Sequence, residues 1–142
     1  MFPVQIRFND IDLLGHVNNV MYGHYFDMAR YDFMKQKLGG LIDFRTSRRI
    51  LIMVRTEYDF LQPSFLEDRL YVETVLSHTG NKSIQFQQRI VDNHGVARVT
   101  CVSVMSTFDK ETGKSFEISP EWREALQIDT PQSSPSPLPS LF

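Results

Sequence analysis

Hydrophobic and polar residues alternate at the start of the chain. Val4, Ile6 and Phe8 are interleaved with Gln5, Arg7 and Asn9, the period of a half-buried strand. From about Asn18 the period becomes helical. Met21, Tyr22, Tyr25, Phe26, Ala29 and Phe33 share one face, and His24, Asp27, Arg30 and Lys35 lie on the other. Asn18 or Asn19 can cap this helix, which runs to Leu38; Gly39-Gly40 then suits a left-handed stop. Period two returns in four stretches. The first covers residues 50–60, with Ile50, Ile52, Val54, Tyr58 and Phe60 on one side and Pro63 beyond it. Strands over 70–77, 83–91 and 96–108 follow, separated by Thr79-Gly80-Asn81-Lys82 and Asp92-Asn93-His94-Gly95 turns. Residues 120–126 read as one short helix with Pro120 in its first turn.

Short connections make sequential strands antiparallel neighbours. The predicted architecture is α+β: a five-stranded antiparallel sheet curled around one long helix. The run Cys101-Val102-Ser103-Val104-Met105 is apolar on both faces, which predicts that a second copy of the chain covers the far face or an edge. The folded domain is expected over 1–126. Residues 127–142, rich in Pro and Ser, are expected to form a flexible tail.

Composition narrows the function classes. The 142 residues carry a net charge of −2, so no basic field points to nucleic acid. The single cysteine, Cys101, excludes an intrachain disulfide framework and reads as a buried small hydrophobe. No apolar run approaches the roughly 18 residues that span a bilayer, and a cytoplasmic, non-membrane protein is expected. The four histidines show no metal-ligand spacing with carboxylates or Cys101, so no metal is expected.

The candidate chemistry is concentrated between strand and helix. Asp12 precedes a helix start, where free N–H groups and the helix dipole favour negative charge. It is either a turn aspartate bonded to local N–H groups or an acid that acts on a substrate, with Asp10 competing for the role. Gly15 permits a tight turn and close ligand approach. His16 can orient a carboxylate or simply bond backbone. Asn18 and Asn19 can be caps, or their N–H groups can polarise a carbonyl oxygen. Tyr22 and Tyr25 suit either core or substrate contact. Arg45, Arg48 and Arg49 form either a solvated loop or a phosphate clamp.

The run Arg7-Phe8-Asn9-Asp10-Ile11-Asp12-Leu13-Leu14-Gly15-His16-Val17-Asn18-Asn19, then Tyr22 and Tyr25-Phe26, resembles the hotdog-fold thioesterases of the 4-hydroxybenzoyl-CoA thioesterase type. So does Val54-Arg55-Thr56-Glu57-Tyr58 with Pro63 and Glu67-Asp68. The resemblance covers about residues 3–110. It implies a long helix wrapped by a five-stranded sheet, and sheets that join into homodimers and homotetramers. It implies an acyl-CoA thioesterase, with the CoA thioester as substrate and no cofactor. By this resemblance Asp12 is the nucleophile or general base, and the Asn19 backbone N–H polarises the thioester carbonyl. His16 is assigned here to the catalytic set, Gly15, Asn18, Tyr22 and Tyr25 to substrate binding, and Arg48 and Arg49 to the substrate phosphates. Gly15-His16-Val17-Asn18-Asn19 also resembles plant-type acyl-carrier-protein thioesterases, but those carry Asn where this chain has Leu14 and a Glu/Cys pair where it has Leu61 and Gln62. The alternatives are therefore an acyl-carrier-protein thioesterase or a hotdog protein that binds thioesters without hydrolysing them.

Overall fold

The structure, a computed structural model, describes residues 1–127. Strand β1 (Phe2–Pro3) leads to a 3-10 turn (Phe8–Asp10) and the long helix α1 (Met21–Leu38). Strands β2 (Arg49–Phe60), β3 (Leu70–Thr79), β4 (Ser83–Asp92) and β5 (Ala97–Asp109) follow, then helix α2 (Pro120–Gln127). The five strands form one antiparallel sheet in the order β1-β3-β4-β5-β2, with α1 packed on one face. The expected tail lies outside the described residues, except for Gln127, which closes α2.

The alternating stretch from Val4 to Asn9 is not itself a strand: β1 covers only Phe2–Pro3, just before it. Phe2, Val4 and Ile6 do point at the core, and the Val4 N–H still donates to the Leu70 carbonyl. Phe8 does not: it is 79% exposed. The Asp10 carboxylate accepts the Arg7 N–H at 3.0 Å and curls the chain into the 3-10 turn, which removes Phe8 from the strand's phase. Helix α1 likewise begins at Met21 rather than Asn18. Asn18 uses its side-chain oxygen for the Val20 N–H (3.0 Å) and its carbonyl for the Met21 N–H (2.8 Å), forming a turn just before the helix. Gly39 is right-handed, at φ −61°, because the chain continues turning until the Leu41 and Ile42 N–H groups both reach the Leu38 carbonyl.

The largest departure is in β2. Leu51 packs with Met34 and Leu38 of α1, yet Tyr58 stacks on Phe26 at 5.8 Å and Phe60 lies 5.9 Å from Tyr22. Residues 51 and 58 can face the same helix only if one residue is inserted between them. A bulge between Met53 and Arg55 does this, and it leaves Val54 57% exposed. The single face expected for Ile50, Ile52, Val54, Tyr58 and Phe60 is therefore split in two.

The core has two apolar parts. Tyr22, Tyr25, Phe26 and Ala29 pack on Leu70, Val72, Ile90 and Val99 near the start of α1. Met34 and Leu38 pack on Leu51, Ile84, Phe86 and Met105 near its end, closed by Trp122 and Leu126 of α2. Between them runs a polar band. Gln88 donates to the Phe26 carbonyl and to Thr74, Thr56 lies 3.4 Å from the Cys101 sulfur, and Arg30 is buried at 3% exposure. The helical period had placed Arg30 on the solvent side; four residues after Phe26, it instead continues the buried stripe. The far face of the sheet is mixed rather than apolar. Half-buried Val102 and Val104 sit there among Gln85, Gln87 and a Glu73–Arg89 ion pair. Among the described residues β2 is the long edge strand of the sheet, pairing with β5 alone, and two-residue β1 is the other edge.

Candidate active site

The loop before α1 is held by its own polar groups. Asp12 Oδ1 accepts the Leu14 N–H at 2.9 Å and the His16 N–H at 3.2 Å. The Asp12 N–H returns a bond to the His16 carbonyl at 2.9 Å, and Ile11 bridges Val17 at the loop's base. Gly15, at φ +82°, makes so short a loop possible. Asp12 is thus a turn aspartate through one oxygen. Its other oxygen, Oδ2, has no hydrogen-bond partner among the described residues.

Asp10, two residues earlier, is fully committed. It is 1% exposed and accepts the Tyr25 hydroxyl at 2.6 Å, the Arg7 N–H at 3.0 Å and the Arg7 guanidinium at 3.3 Å. Burial raises its pKa, but the Tyr25 and Arg7 bonds outweigh this and leave it below the usual carboxylate value. The same burial and bond push the Tyr25 phenol well above its ordinary value. The Asp10 carbonyl also takes the Asn18 N–H at 2.8 Å, so this buried pair anchors the loop to α1.

A cavity of about 290 Å³ opens beside the loop, lined by Asp12, Leu14, His16, Val17, Asn19 and Tyr22 on one side and Phe60, Leu61, Gln62 and Pro63 on the other. Helix α1 starts at this cavity. The Val20 N–H is taken by Asn18, whereas the Asn19 N–H has no partner among the described residues. His16 is set edge-on against Phe65, ring centroids 5.1 Å apart.

Of the expected site residues, the fold brings Asp12, His16, Asn19 and Tyr22 to one cavity. Gly15 and Asn18 shape the loop behind it. Tyr25 turns away to Asp10. Arg48 and Arg49 lie at the opposite end of β2, roughly 35 Å of strand from Phe60. Both are paired with the buried Asp109, at 2.8 and 3.3 Å, and Arg49 also stacks on Phe116.

The pattern reading missed the second wall and its anchor. Arg98 on β5 donates to the Pro63 carbonyl, Ser64, Asp68 and Asp92, while its own carbonyl accepts the Leu61 and Gln62 N–H groups. This arginine ties the 61–68 loop to the sheet. Its partners are up to 37 residues away in sequence, so no local pattern announces it.

The family model of the thioesterase-like superfamily matches residues 6–126. The chain belongs to this superfamily. An acyl-CoA thioesterase YbgC of Haemophilus influenzae is 27% identical to this thioesterase-like chain over 125 residues, covering 81% of it and 92% of the relative. A long-chain acyl-CoA thioesterase FadM of Escherichia coli K12 is 24% identical over 126 residues, covering 87% and 94%. A Thermus thermophilus thioesterase, solved with coenzyme A and zinc, superimposes with a TM-score of 0.75 at 26% identity, covering 89% and 90% of the two chains. The arrangement of sheet and central helix is the hotdog fold expected for the family. No described helix is long and apolar enough to cross a membrane.

Proposed function

We propose that this protein is an acyl-CoA thioesterase whose chemistry is carried by Asp12 at the start of α1. The observation that supports it most directly is a pairing of free groups. Asp12 Oδ2 and the Asn19 N–H are both unpartnered among the described residues, and both belong to residues lining the same cavity. A thioester carbonyl seated there accepts the Asn19 N–H, reinforced by the helix dipole. Asp12 then attacks the carbonyl carbon, or takes a proton from the attacking water. The carbon–sulfur bond breaks, and the acid and coenzyme A leave with one water consumed. Coenzyme A enters as part of the substrate, and the reading needs no cofactor. Relatives named acyl-CoA thioesterases support that substrate class.

The site is completed by a second copy in this reading. Leu14, Phe60, Leu61 and Phe65 stand 76%, 49%, 49% and 46% exposed around the cavity, beside the open β2 edge. Antiparallel pairing of two β2 edges covers these residues and brings the Arg48–Arg49 end of the second copy toward the Leu61–Pro63 wall. The arginines then serve the substrate phosphates across the interface.

Thiol release from a panel of acyl-CoA and acyl-carrier-protein thioesters tests the assignment, with light scattering for the assembly. Turnover of acyl-CoA by a dimer or tetramer is expected. Preference for carrier-protein thioesters supports the first alternative, binding without turnover supports the second, and a monomer at micromolar concentration refutes the shared site.

A further inference from the structure

Arg30 is the least satisfied charge in the described core. Its guanidinium gives Nη1 to Asp27 at 2.6 Å, while Nε and Nη2 have no hydrogen-bond partner among the described residues. Two acceptors of the same polar band, Ser103 Oγ and Gln88 Oε1, are also buried without hydrogen-bond partners among the described residues. Asp27 balances the charge, but buried N–H groups without acceptors are unfavourable, so a guanidinium held this way marks a place where something else accepts its bonds.

Its position says what that is. Tyr22, Phe26 and Arg30 form one stripe of α1, at successive intervals of four. Phe60, Tyr58 and Thr56 run beside them on β2. Tyr22 and Phe60 line the cavity that holds Asp12. Phe26 and Tyr58 stack next, with the Tyr58 hydroxyl 3.1 Å from where a side chain on Gly23 would begin. Thr56, whose hydroxyl lies 3.4 Å from the Cys101 sulfur, and buried Arg30 come last. The seam is about 12 Å of helix rise long, and it is apolar until its end.

We propose that the acyl group runs from the Asp12 cavity along this seam, and that Arg30 makes the enzyme select acyl groups bearing a hydrogen-bond acceptor at their far end. Hydroxyl, keto and carboxylate termini share this chemistry. The inference deepens the thioesterase reading and rests on it for the placement of the thioester.

The test uses matched pairs: straight-chain acyl-CoAs of increasing length, and the same chains ended by a hydroxyl or a carboxylate. At the length that reaches Arg30, kcat/KM is expected to favour the acceptor-ended member at least tenfold, mainly through KM. Arg30→Met, which keeps the apolar bulk, should bring the ratio to one or below. Ser103→Ala, a milder change, should lower it several-fold. A wild-type preference for the plain chain at every length overturns the proposal, as does a ratio that survives both substitutions. Calorimetric binding of the same pairs separates the two readings. If no thioester is hydrolysed, the hydrolytic reading fails, while tighter binding of the acceptor-ended member that Arg30→Met abolishes still sustains this one, and equal binding overturns it.

Discussion

Asp12 and Asp10 differ by two positions and should fail in opposite ways when changed to asparagine. In Asp12→Asn the amide oxygen can still accept the Leu14 and His16 N–H groups at 2.9 and 3.2 Å, so the loop keeps its shape. The loss at those bonds is only the charge assistance, of the order of 1 kcal/mol at a part-exposed site. What disappears is the nucleophile or base. Removing such a group typically lowers the rate at least about 10²-fold, roughly 2.7 kcal/mol of transition-state stabilisation. Asp10→Asn reverses the balance. Its carboxylate is 1% exposed and accepts the Tyr25 hydroxyl and two Arg7 donors. An amide can replace one oxygen as acceptor but turns the other position into a donor facing Arg7. Hydrogen bonds to charged groups contribute about 1.5–3 kcal/mol, so melting should fall by roughly 5–10 °C for a domain of this size. The assay is kcat per folded enzyme alongside a thermal melt for each variant. Asp12→Asn should lose kcat with a near-native melt, and Asp10→Asn should lose thermal stability while its folded fraction still turns over. If Asp12→Asn keeps most of the rate, or if Asp10→Asn loses kcat as steeply at full folding, the two acids do not divide the work in this way.

Arg98→Met should loosen the second wall. It strands the Asp68 and Asp92 carboxylates and frees the Pro63 carbonyl, so a loss of about 2–3 kcal/mol in urea unfolding is expected; unchanged stability and KM would show that the 61–68 loop holds itself. Acid stability should depend on Asp92. The Val96 and His94 N–H groups and Arg98 lower its pKa to about 2 from an ordinary value near 3.8. A depressed carboxylate stabilises the fold above its unfolded pKa and loses that contribution as pH falls through the folded one. Unfolding midpoints should therefore drop between about pH 4 and pH 2, and less steeply in Asp92→Asn; an identical slope in both proteins removes Asp92 from the account.

What the sequence determined by itself was the part that depends on near neighbours. Ile84, Phe86 and Ile90 alternate, and all are buried, because a strand's side chains have a period of two whatever it pairs with. The loop from Asp12 to His16 was legible for the same reason: its bonds join residues two to four apart, and Gly15 supplies the turn. Tertiary structure decided the rest. The bulge at Val54 appears only when β2 must keep register with β5 and still put both Leu51 and Tyr58 on α1. Arg30 reads as a solvent-facing helix residue until the sheet closes over it. Arg48 and Arg49 look like a free basic cluster until Asp109, 60 residues on, takes both. Asp10 and Asp12 are the same residue type in the same motif, and local pattern cannot rank them. The Tyr25 hydroxyl, 15 residues away, separates them by engaging Asp10, while Asp12 Oδ2 has no partner among the described residues. Period and turn chemistry are local energies written along the chain; the state of a buried charge is set by whatever the fold brings against it.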